Sequence, residues 1–476
     1  MRQIVALIVH EARLLFRARV LIPVILVLLP ALALSFWNSR RHVERLEVTV
    51  TVATETDRTT RSRWIEAAEL RAAGKPTPGF PSWRDPSSPV LVGGFMGALA
   101  TLPPRPLAVL AISESNAAPS AAKVNLRNAS SLFDHDEIAS AGSLSEGSLD
   151  PSFVLVLLLP LVVLALGFDL IAQERERGTL RLLRAVPLPL PSLLAAKALV
   201  RGGALFAICF LALLAGLAIS VPSLRAIPAS IAGLIALAVL VYIAFWLGVC
   251  ALLNTWRRSS SALAVIAAAT WVFLTLWWPG AVRTAMAAIA PAPSRPAMLV
   301  ELRANTVAAE KSEQETLAAY LKEHPELAPQ SKDEWQRGFL LVQEQVDARM
   351  APTLRRFAAQ RRTQAEALAQ ASFLSPPALL GELLTEVAGT GRDRHDVFIA
   401  QTEEFQREWI ARFKAWTMEQ KKLTSGDLRS LPAFRFEERA SSRGAWFLFA
   451  KLALVTCATW AAALLRARKL EKEILL

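Results

Sequence analysis

Long runs of apolar residues alternate with polar regions along the chain and divide it into six hydrophobic segments. Each run has about the length that a helix needs to cross a bilayer core of roughly 30 Å, which is about 20 residues. Backbone N–H and C=O groups find no water in lipid, so each run is expected to be a helix. The predicted spans are residues 20–37, 151–168, 202–221, 229–253, 262–282 and 445–465.

Two long and several short polar segments connect these runs. Four short ones are rich in Arg and Lys, and the alternation of six spans places them on one side: residues 1–19, 169–201, 254–261 and 466–476. Short loops rich in Lys and Arg lie in the cytoplasm. We therefore expect a multi-pass protein of the bacterial inner membrane with both termini cytoplasmic. The long inserts, 38–150 and 283–443, then lie together outside.

A signal peptide is the alternative interpretation of the first span, because Ala31 and Ala33 imitate a cleavage site. The apolar run is longer than the roughly 7–15 residues of a signal-peptide core, which favours a retained span. The segment before it, residues 1–19, has apolar residues near one helical face: Ile4, Leu7, Ile8, Leu14 and Leu15. This spacing predicts a helix that lies in the membrane interface.

The connection between the second and third spans, residues 169–201, has the most informative pattern. The second span is predicted to continue as a helix as far as Arg177, where Gly178 can end it in a left-handed conformation. Thr179 is then a suitable N-cap for a short amphipathic helix over Leu180–Val186.

A proline-rich run follows this short helix and stops it. Ser192 can cap the helix that becomes the third span. The pattern predicts a rigid, short helix at the membrane surface, tied closely to two spans and suited to receiving a push from a partner.

The two inserts differ in their patterns. Alternating apolar and polar residues predict a strand over residues 43–54, with a helix over 61–73 after it. The high content of Glu, Gln, Arg and Ala in the second insert predicts long solvated helices over 298–324, 333–371, 377–387 and 393–422. Both inserts begin and end at one membrane surface, so we expect them to pack together. The fold class is an α-helical integral membrane protein with six transmembrane helices, an N-terminal interfacial helix, and a mixed α/β, largely helical extracytoplasmic region.

Composition agrees with this picture. The 476 residues are 53% hydrophobic and 20% charged, with 53 Lys and Arg against 41 Asp and Glu, a net charge of +12. Much of the basic surplus lies beside the apolar runs, which is typical of membrane flanks and argues against a nucleic-acid partner. The cysteines Cys209, Cys250 and Cys457 all lie in apolar runs, so no disulfide framework is indicated.

The chain has no pattern typical of an enzyme. A phosphate-binding loop of the form GxxxxGK[ST] is absent from the sequence, and Gly389–Arg392 is better interpreted as a turn. The acidic stretch Phe133–Glu137 lacks metal-ligand spacing, so we expect no metal, cofactor or catalytic residue. The spans also contain almost no ionisable residue of the kind that ion-coupled carriers need. Energy is therefore expected to come from a partner.

Residues 174–201 resemble the loop that follows the second span in permeases of ABC-2 type transporters. The matching positions are Glu174, Glu176, Gly178, Thr179, Leu180, Pro187 and Lys197. The resemblance implies that the N-terminal helix and this loop contact a separate ATP-hydrolysing subunit, which binds the ATP. The predicted ATPase-coupling residues are Glu174, Glu176, Gly178, Thr179, Arg181 and Arg184. The inserts after the first and fifth spans resemble those of the subgroup with large extracytoplasmic inserts.

These features predict the permease subunit of an ATP-driven transporter, working as an exporter. Its expected partners are a cytoplasmic ABC ATPase, a second permease copy or paralogue, and the lipid bilayer, while the inserts are placed to meet a periplasmic or envelope partner. The alternative is an ATP-driven scaffold or mechanotransmission protein of the envelope, which moves the inserts without passing a substrate. The sequence does not name a cargo.

Overall fold

The computed structural model describes residues 2–17, 19–81, 83–116, 120–126, 149–178, 189–223, 227–289, 334–438 and 443–475, with residue 225 and a few residues between 300 and 311. In this part of the chain six helices are long and apolar enough to cross a membrane. The predicted α-helical membrane fold is therefore confirmed.

The elements follow one another in a simple order. They are α1 Arg2–Arg17, α2 Leu21–Ala72, α3 Pro89–Leu91 with a π-helical turn Val92–Met96, β1 Ala98–Thr101, β2 Ala121–Val124, α4 Pro151–Phe153 with its continuations Val154–Leu158 (π) and Leu159–Gly167, α5 Ala172–Glu176, α6 Leu190–Ser220, α7 Ala229–Asn254, α8 Ser260–Val272 with its continuations Phe273–Trp277 (π) and Trp278–Ile289, α9 Glu334–Ala371, α10 Pro376–Ala388, α11 Arg392–Met418, α12 Ser425–Arg429 and α13 Arg443–Leu475. Strands β1 and β2 pair antiparallel, with Ala98 opposite Val124.

Helix α2 does not stop at the end of the first span. Its 52 residues form one helix, about 78 Å long at 1.5 Å per residue. The strand predicted over 43–54 is therefore wrong, while the helix predicted over 61–73 forms its last part. Three threonine hydroxyls in the stretch donate to carbonyls one turn back, as does that of Thr56 just after it. Val48 and Val52 stay exposed without a partner strand. Extending an existing helix costs less than nucleating a strand that has nothing to pair with.

Helix α7 is the centre of the bundle and the most buried of the six spans. Two glycines allow the neighbouring helices to approach it closely: a Cβ on Gly167 of α4 would lie 2.8 Å from the Cys250 sulfur, and one on Gly202 of α6 would lie 2.7 Å from Leu247. Helix α13 lies alongside α7, and the Trp460 indole N–H donates to the Ala244 carbonyl at 2.8 Å.

Helix α4 contains a π-helical turn, Val154–Leu158, directly before Pro160. Proline has no N–H, so the carbonyl of Val156 loses its partner within the helix. The buried Tyr242 of α7 donates its hydroxyl to that carbonyl at 2.9 Å. The irregular turn is thus satisfied from the neighbouring helix, as a membrane interior requires.

The two inserts share one hydrophobic core, as predicted. It combines Trp64 of α2, residues of α3 and the β-hairpin, and Phe398, Trp409 and Phe413 of α11. The Trp409 indole donates to the Gly93 carbonyl at 3.2 Å, which joins the second insert to the first. Three of the helices predicted in the second insert coincide with α9, α10 and α11, while most of 298–324 lies outside the described residues.

Helix α10 holds the second insert on the spans. Its buried leucines belong to the same hydrophobic cluster as α4, α6, α7 and α13, and the Ser375 hydroxyl at its N-terminus donates to the Leu274 carbonyl of α8 at 2.8 Å. We call this end of the bundle the far end. The near end is the opposite one, where α1, α5 and the C-terminus of α7 lie.

A cluster of three charged residues joins the two inserts near the far end. We call the two packed inserts together the insert domain. Glu438, a few residues before α13, binds Arg105 of the first insert and Arg394 of α11, each at 2.5 Å. Burial acts to raise the pKa of Glu438, but the hydrogen bonds from both guanidinium groups outweigh it and hold the pKa below its usual range. The ionised form is therefore stabilised by folding.

We expect Glu438→Gln to lower the stability of the insert domain by about 1–2 kcal/mol at neutral pH, the low end for charged hydrogen bonds because Glu438 is partly exposed. A carboxyl with a depressed pKa stabilises the fold above its unfolded pKa, near 4.3, and this contribution is lost as the pH falls through the folded value. Thermal unfolding followed by tryptophan fluorescence at a series of pH values should show the wild type and variant converging below about pH 4.

Glu366→Gln is the matched control, since Glu366 pairs with Arg362 on an exposed helix surface. It should change the unfolding midpoint little at any pH. A Glu438→Gln protein that is as stable as the wild type at neutral pH would contradict the role of the cluster.

Candidate functional site at the near end of the bundle

The chain breaks its helical path between the second span and the predicted loop. Helix α4 ends at Gly167, residues 168–171 form turns, and α5 begins at Ala172. The second span is therefore not continuous with α5, contrary to the prediction. Such a break leaves backbone N–H and C=O groups without helical partners.

The side chain of Asn254, the last residue of α7, satisfies this break. Its Oδ1 accepts from the N–H of Ile171 at 3.0 Å and of Ala172 at 3.1 Å. Its Nδ2 donates to the carbonyls of Phe168 at 2.9 Å and of Cys250 at 2.8 Å. Asn254 is buried, so these four bonds use the usual donors and acceptors of an amide side chain. The start of α5 is thereby fixed against α7.

A second polar contact fixes the same break against α6. The Arg201 guanidinium donates to the Asp169 carboxylate at 2.9 Å and also to the carbonyl of Leu166. Both charged side chains are largely shielded from solvent, which strengthens a charge-assisted hydrogen bond. Helix α6 begins at Leu190, with Pro191 in its first turn, so Ser192 lies inside the helix and does not cap it as predicted.

About two turns into α6, Lys197 joins three elements. Its side chain is 2% exposed, and its ammonium forms an ion pair with Glu174 of α5 and lies 3.4 Å from a carboxylate oxygen of Glu11 in α1. A charge this buried is tolerated only when it is paired, and removing one partner of such a pair costs about 3–5 kcal/mol. The ion triad therefore fixes the positions of α1 and α5 on α6.

Apolar contacts support the triad from the α1 side. Leu7 of α1 packs with Leu193 and Ala196 of α6 in a small buried cluster. Leu14 and Phe16 on the same helix remain exposed. Helix α1 thus lies on α6 and keeps part of its apolar surface open.

Helix α5 also reaches the loop between α7 and α8. The Glu176 carboxylate accepts from the backbone N–H of Ser260 at 2.6 Å and from its hydroxyl at 2.8 Å. Ser260 is the first residue of α8, and a carboxylate is favourable beside the unpaired N–H groups of a helix N-terminus. Arg175 donates to the Arg258 carbonyl of the same loop. A displacement of α5 therefore also acts on α8.

Gly178 follows α5 with φ +74°, which agrees with the predicted left-handed conformation. An added Cβ would meet nothing within 4 Å, so glycine is favoured here by backbone conformation and not by space. Another residue would strain this position by about 1 kcal/mol.

The structure brings three of the six predicted coupling residues, Glu174, Glu176 and Gly178, into this region. Thr179, Arg181, Arg184 and the predicted helix Leu180–Val186 lie outside the described residues, as does Phe133–Glu137. We refer to the polar residues assembled here as the near-end cluster, which comprises Glu11, Asp169, Glu174, Glu176, Lys197, Arg201 and Asn254.

Sequence reasoning missed part of the near-end cluster. Lys197 is among the positions that match the ABC-2 pattern but not among the predicted site residues. Glu11 and Asn254 have only a weak signal: each is a polar residue in or beside an apolar run. Such residues are expensive to bury without a partner, which is the property that could have drawn attention to them.

Comparison with known families assigns two regions of the chain. Residues 127–276 match the sequence model of the family described as ABC-2 family transporter protein. Residues 295–437 match a domain described only as a domain of unknown function, DUF3526. No curated protein matches the chain significantly. The first match contains every residue of the near-end cluster except Glu11.

We expect Asn254→Leu to destabilise the protein by about 2–4 kcal/mol, because several buried backbone groups lose their partners at about 1–3 kcal/mol each. The measurement is the thermal unfolding midpoint of the purified chain in detergent. Thr402→Val is the matched control: it removes a buried hydroxyl that bonds within its own helix, α11, and should cost less. Equal midpoints for wild type and Asn254→Leu would show that the break does not depend on this side chain.

Proposed function

We propose that this chain, which matches the model of the ABC-2 family transporter protein over residues 127–276, is the permease subunit of an ATP-driven exporter and is moved through its near-end cluster. The family implies an ABC ATPase subunit as partner. That subunit would bind and hydrolyse the ATP, while this chain supplies the spans and the insert domain.

The buried triad of Glu11, Lys197 and Glu174 is the observation that supports the proposal most directly. It links two surface helices, α1 and α5, to the core of a span through buried charges, and separating these charges would cost free energy. A partner that presses on α1 or on residues 174–184 would therefore displace α6. The contact of Glu176 with Ser260 extends the same displacement to α8.

The proposed orientation places the near end in the cytoplasm. Arg257 and Arg258 lie in the short loop after α7, and Arg13 and Arg17 lie on α1, so positive charge gathers at this end. Cytoplasmic loops carry such an excess of Lys and Arg. We include Thr179, Arg181 and Arg184 in the segment that contacts the ATPase, residues 174–184, because they follow α5 directly in the sequence.

A second permease copy or a paralogue completes the proposed transporter. Helices α8 and α13 are the least buried of the six spans, and residues such as Val265 and Leu454 are open on their surfaces. This apolar surface is available to lipid and to a second subunit.

We expect Lys197→Met to leave the ATPase bound but to lower the permease-dependent rate of ATP hydrolysis about tenfold or more, since a hydrogen bond between charged groups is worth about 1.5–3 kcal/mol. The double change Glu174→Gln and Glu176→Gln should act in the same direction. The complex would be isolated from its host through a tag on this chain, and the hydrolysis rate compared with that of the ATPase alone.

Lys414→Met is the matched control. Lys414 also pairs with a glutamate, Glu344, but on the exposed surface of the insert domain. It should change neither co-purification nor the hydrolysis rate. Unchanged hydrolysis in both near-end variants would refute coupling through the cluster.

A mechanotransmission function is the second candidate, favoured by the continuity of α2. This helix runs from the first span into the core of the insert domain, where Trp64 and Ala68 are buried. A tilt of the span would therefore move the insert domain directly. In that case ATP hydrolysis would change the inserts without opening a path between the spans.

Water access to the spans distinguishes the two candidates. We expect single cysteines along α8, in a chain carrying Cys457→Ser, to react with a membrane-impermeant maleimide only while ATP is hydrolysed. Cys209 and Cys250 are buried and should not react with the maleimide. Movement of a label at Val52→Cys during turnover, without reactive positions on α8, would favour mechanotransmission instead.

A further inference from the structure

A groove lies between α2 and α6 at the far end of the spans, away from the near-end cluster. Its volume is about 500 Å³, within the range of about 300–1,000 Å³ that is usual for small-molecule sites. The floor is apolar and made deep by small residues, among them Ala33, Ala215 and Gly216. A Cβ on Gly216 would lie 2.3 Å from ring atoms of Phe36, so this glycine lets the phenylalanine ring lie against α6.

Two arginines lie at the rim of the groove. Arg40 is held across both helices, because it pairs with Glu44 at 2.8 Å and donates to the Ile219 carbonyl at 2.8 Å. The guanidinium of Arg41 lies over the Trp37 ring at 4.3 Å. Within the described residues Arg41 has no carboxylate partner. With Glu44 as the single acidic residue lining the groove, its rim has a net positive charge.

The position of the groove identifies its occupant as a molecule of the bilayer. Trp37 lies about 25 Å along α2 from Leu21, close to the thickness of the hydrocarbon core. The rim is therefore at the level of the lipid headgroups, where tryptophan is enriched. Ile219 and Leu29 beside the groove are exposed on the surface of the spans, so the groove opens sideways toward lipid.

We infer that this groove binds an anionic phospholipid, with the phosphate at Arg41 and Arg40 and one acyl chain along the small-residue floor. A guanidinium group matches the geometry of a phosphate, and the net positive charge of the rim attracts an anionic headgroup. Bound lipid would bridge the start of the long exposed part of α2 and the end of α6. The inference rests on the membrane-spanning fold and not on the proposed coupling to an ATPase.

The test compares two lipids on the full chain purified in detergent. Dioleoyl phosphatidylglycerol and dioleoyl phosphatidylcholine would be titrated separately, and bound lipid measured by native mass spectrometry. We expect the wild type to bind dioleoyl phosphatidylglycerol, the anionic lipid, at least about fivefold more tightly than dioleoyl phosphatidylcholine. Arg41→Gln should remove the preference, and Ala215→Phe, which fills the groove, should remove the tight site for both lipids.

Two matched controls separate the groove from the general surface. Arg58→Gln removes an exposed arginine of α2 far from the membrane, and Ala218→Phe adds the same bulk on α6 outside the groove lining. Both should behave as the wild type. No preference for the anionic lipid, or the same losses in the controls, would show bulk lipid contact only and overturn the inference.

Two other occupants are outcomes of the same test. Glycerol phosphate that binds as tightly as the phospholipid, with the same loss in Arg41→Gln, would indicate an anion site without an acyl chain. A disulfide formed between two copies through Ala33→Cys, with no anionic lipid retained, would place a second copy of the chain in the groove. Either result would overturn the lipid assignment.

Discussion

A single lysine ammonium, almost removed from water in the side of a membrane helix, sets the arrangement of the near end. Carboxylates from two other elements pair with Lys197 there, Glu174 from α5 and Glu11 from α1, and a buried charge without such partners would destabilise the fold. Both helices must therefore take fixed positions on α6. The other polar contacts of the near-end cluster serve the same geometry, since they hold the short helix α5 where Glu174 can reach the lysine.

Helix α7 has a corresponding role inside the bundle. It supplies Asn254 to the break after α4 and Tyr242 to the carbonyl left open by Pro160. Without water, each irregular backbone group needs such a partner from protein. One buried helix thus supplies partners both at the π-helical turn of α4 and at the break after it, so these backbone groups are not left unsatisfied in lipid.

The insert domain is connected to this arrangement at more than one point. Helix α2 enters its core directly, α10 packs on the far ends of the spans, and Glu438 ties both inserts together ahead of α13. The near end and the insert domain are therefore the two ends of one packed unit. Motion imposed on α6 and α8 has a continuous path of contacts toward the far end, which both proposed functions require.

The sequence by itself determined the six spans, the amphipathic character of α1, the left-handed Gly178 and the helices of the second insert, because hydropathy, helical period and glycine preference are local properties. The same local rules failed at residues 43–54, where alternation indicated a strand but α2 simply continues, and they did not place the break at 168–171. Only the tertiary structure decided that Glu11, Glu174 and Lys197 meet, and that the Asn254 side chain forms hydrogen bonds to the backbone groups at the break. These partners lie far apart in the chain, and which of them meet depends on how the helices pack, information that no local pattern contains.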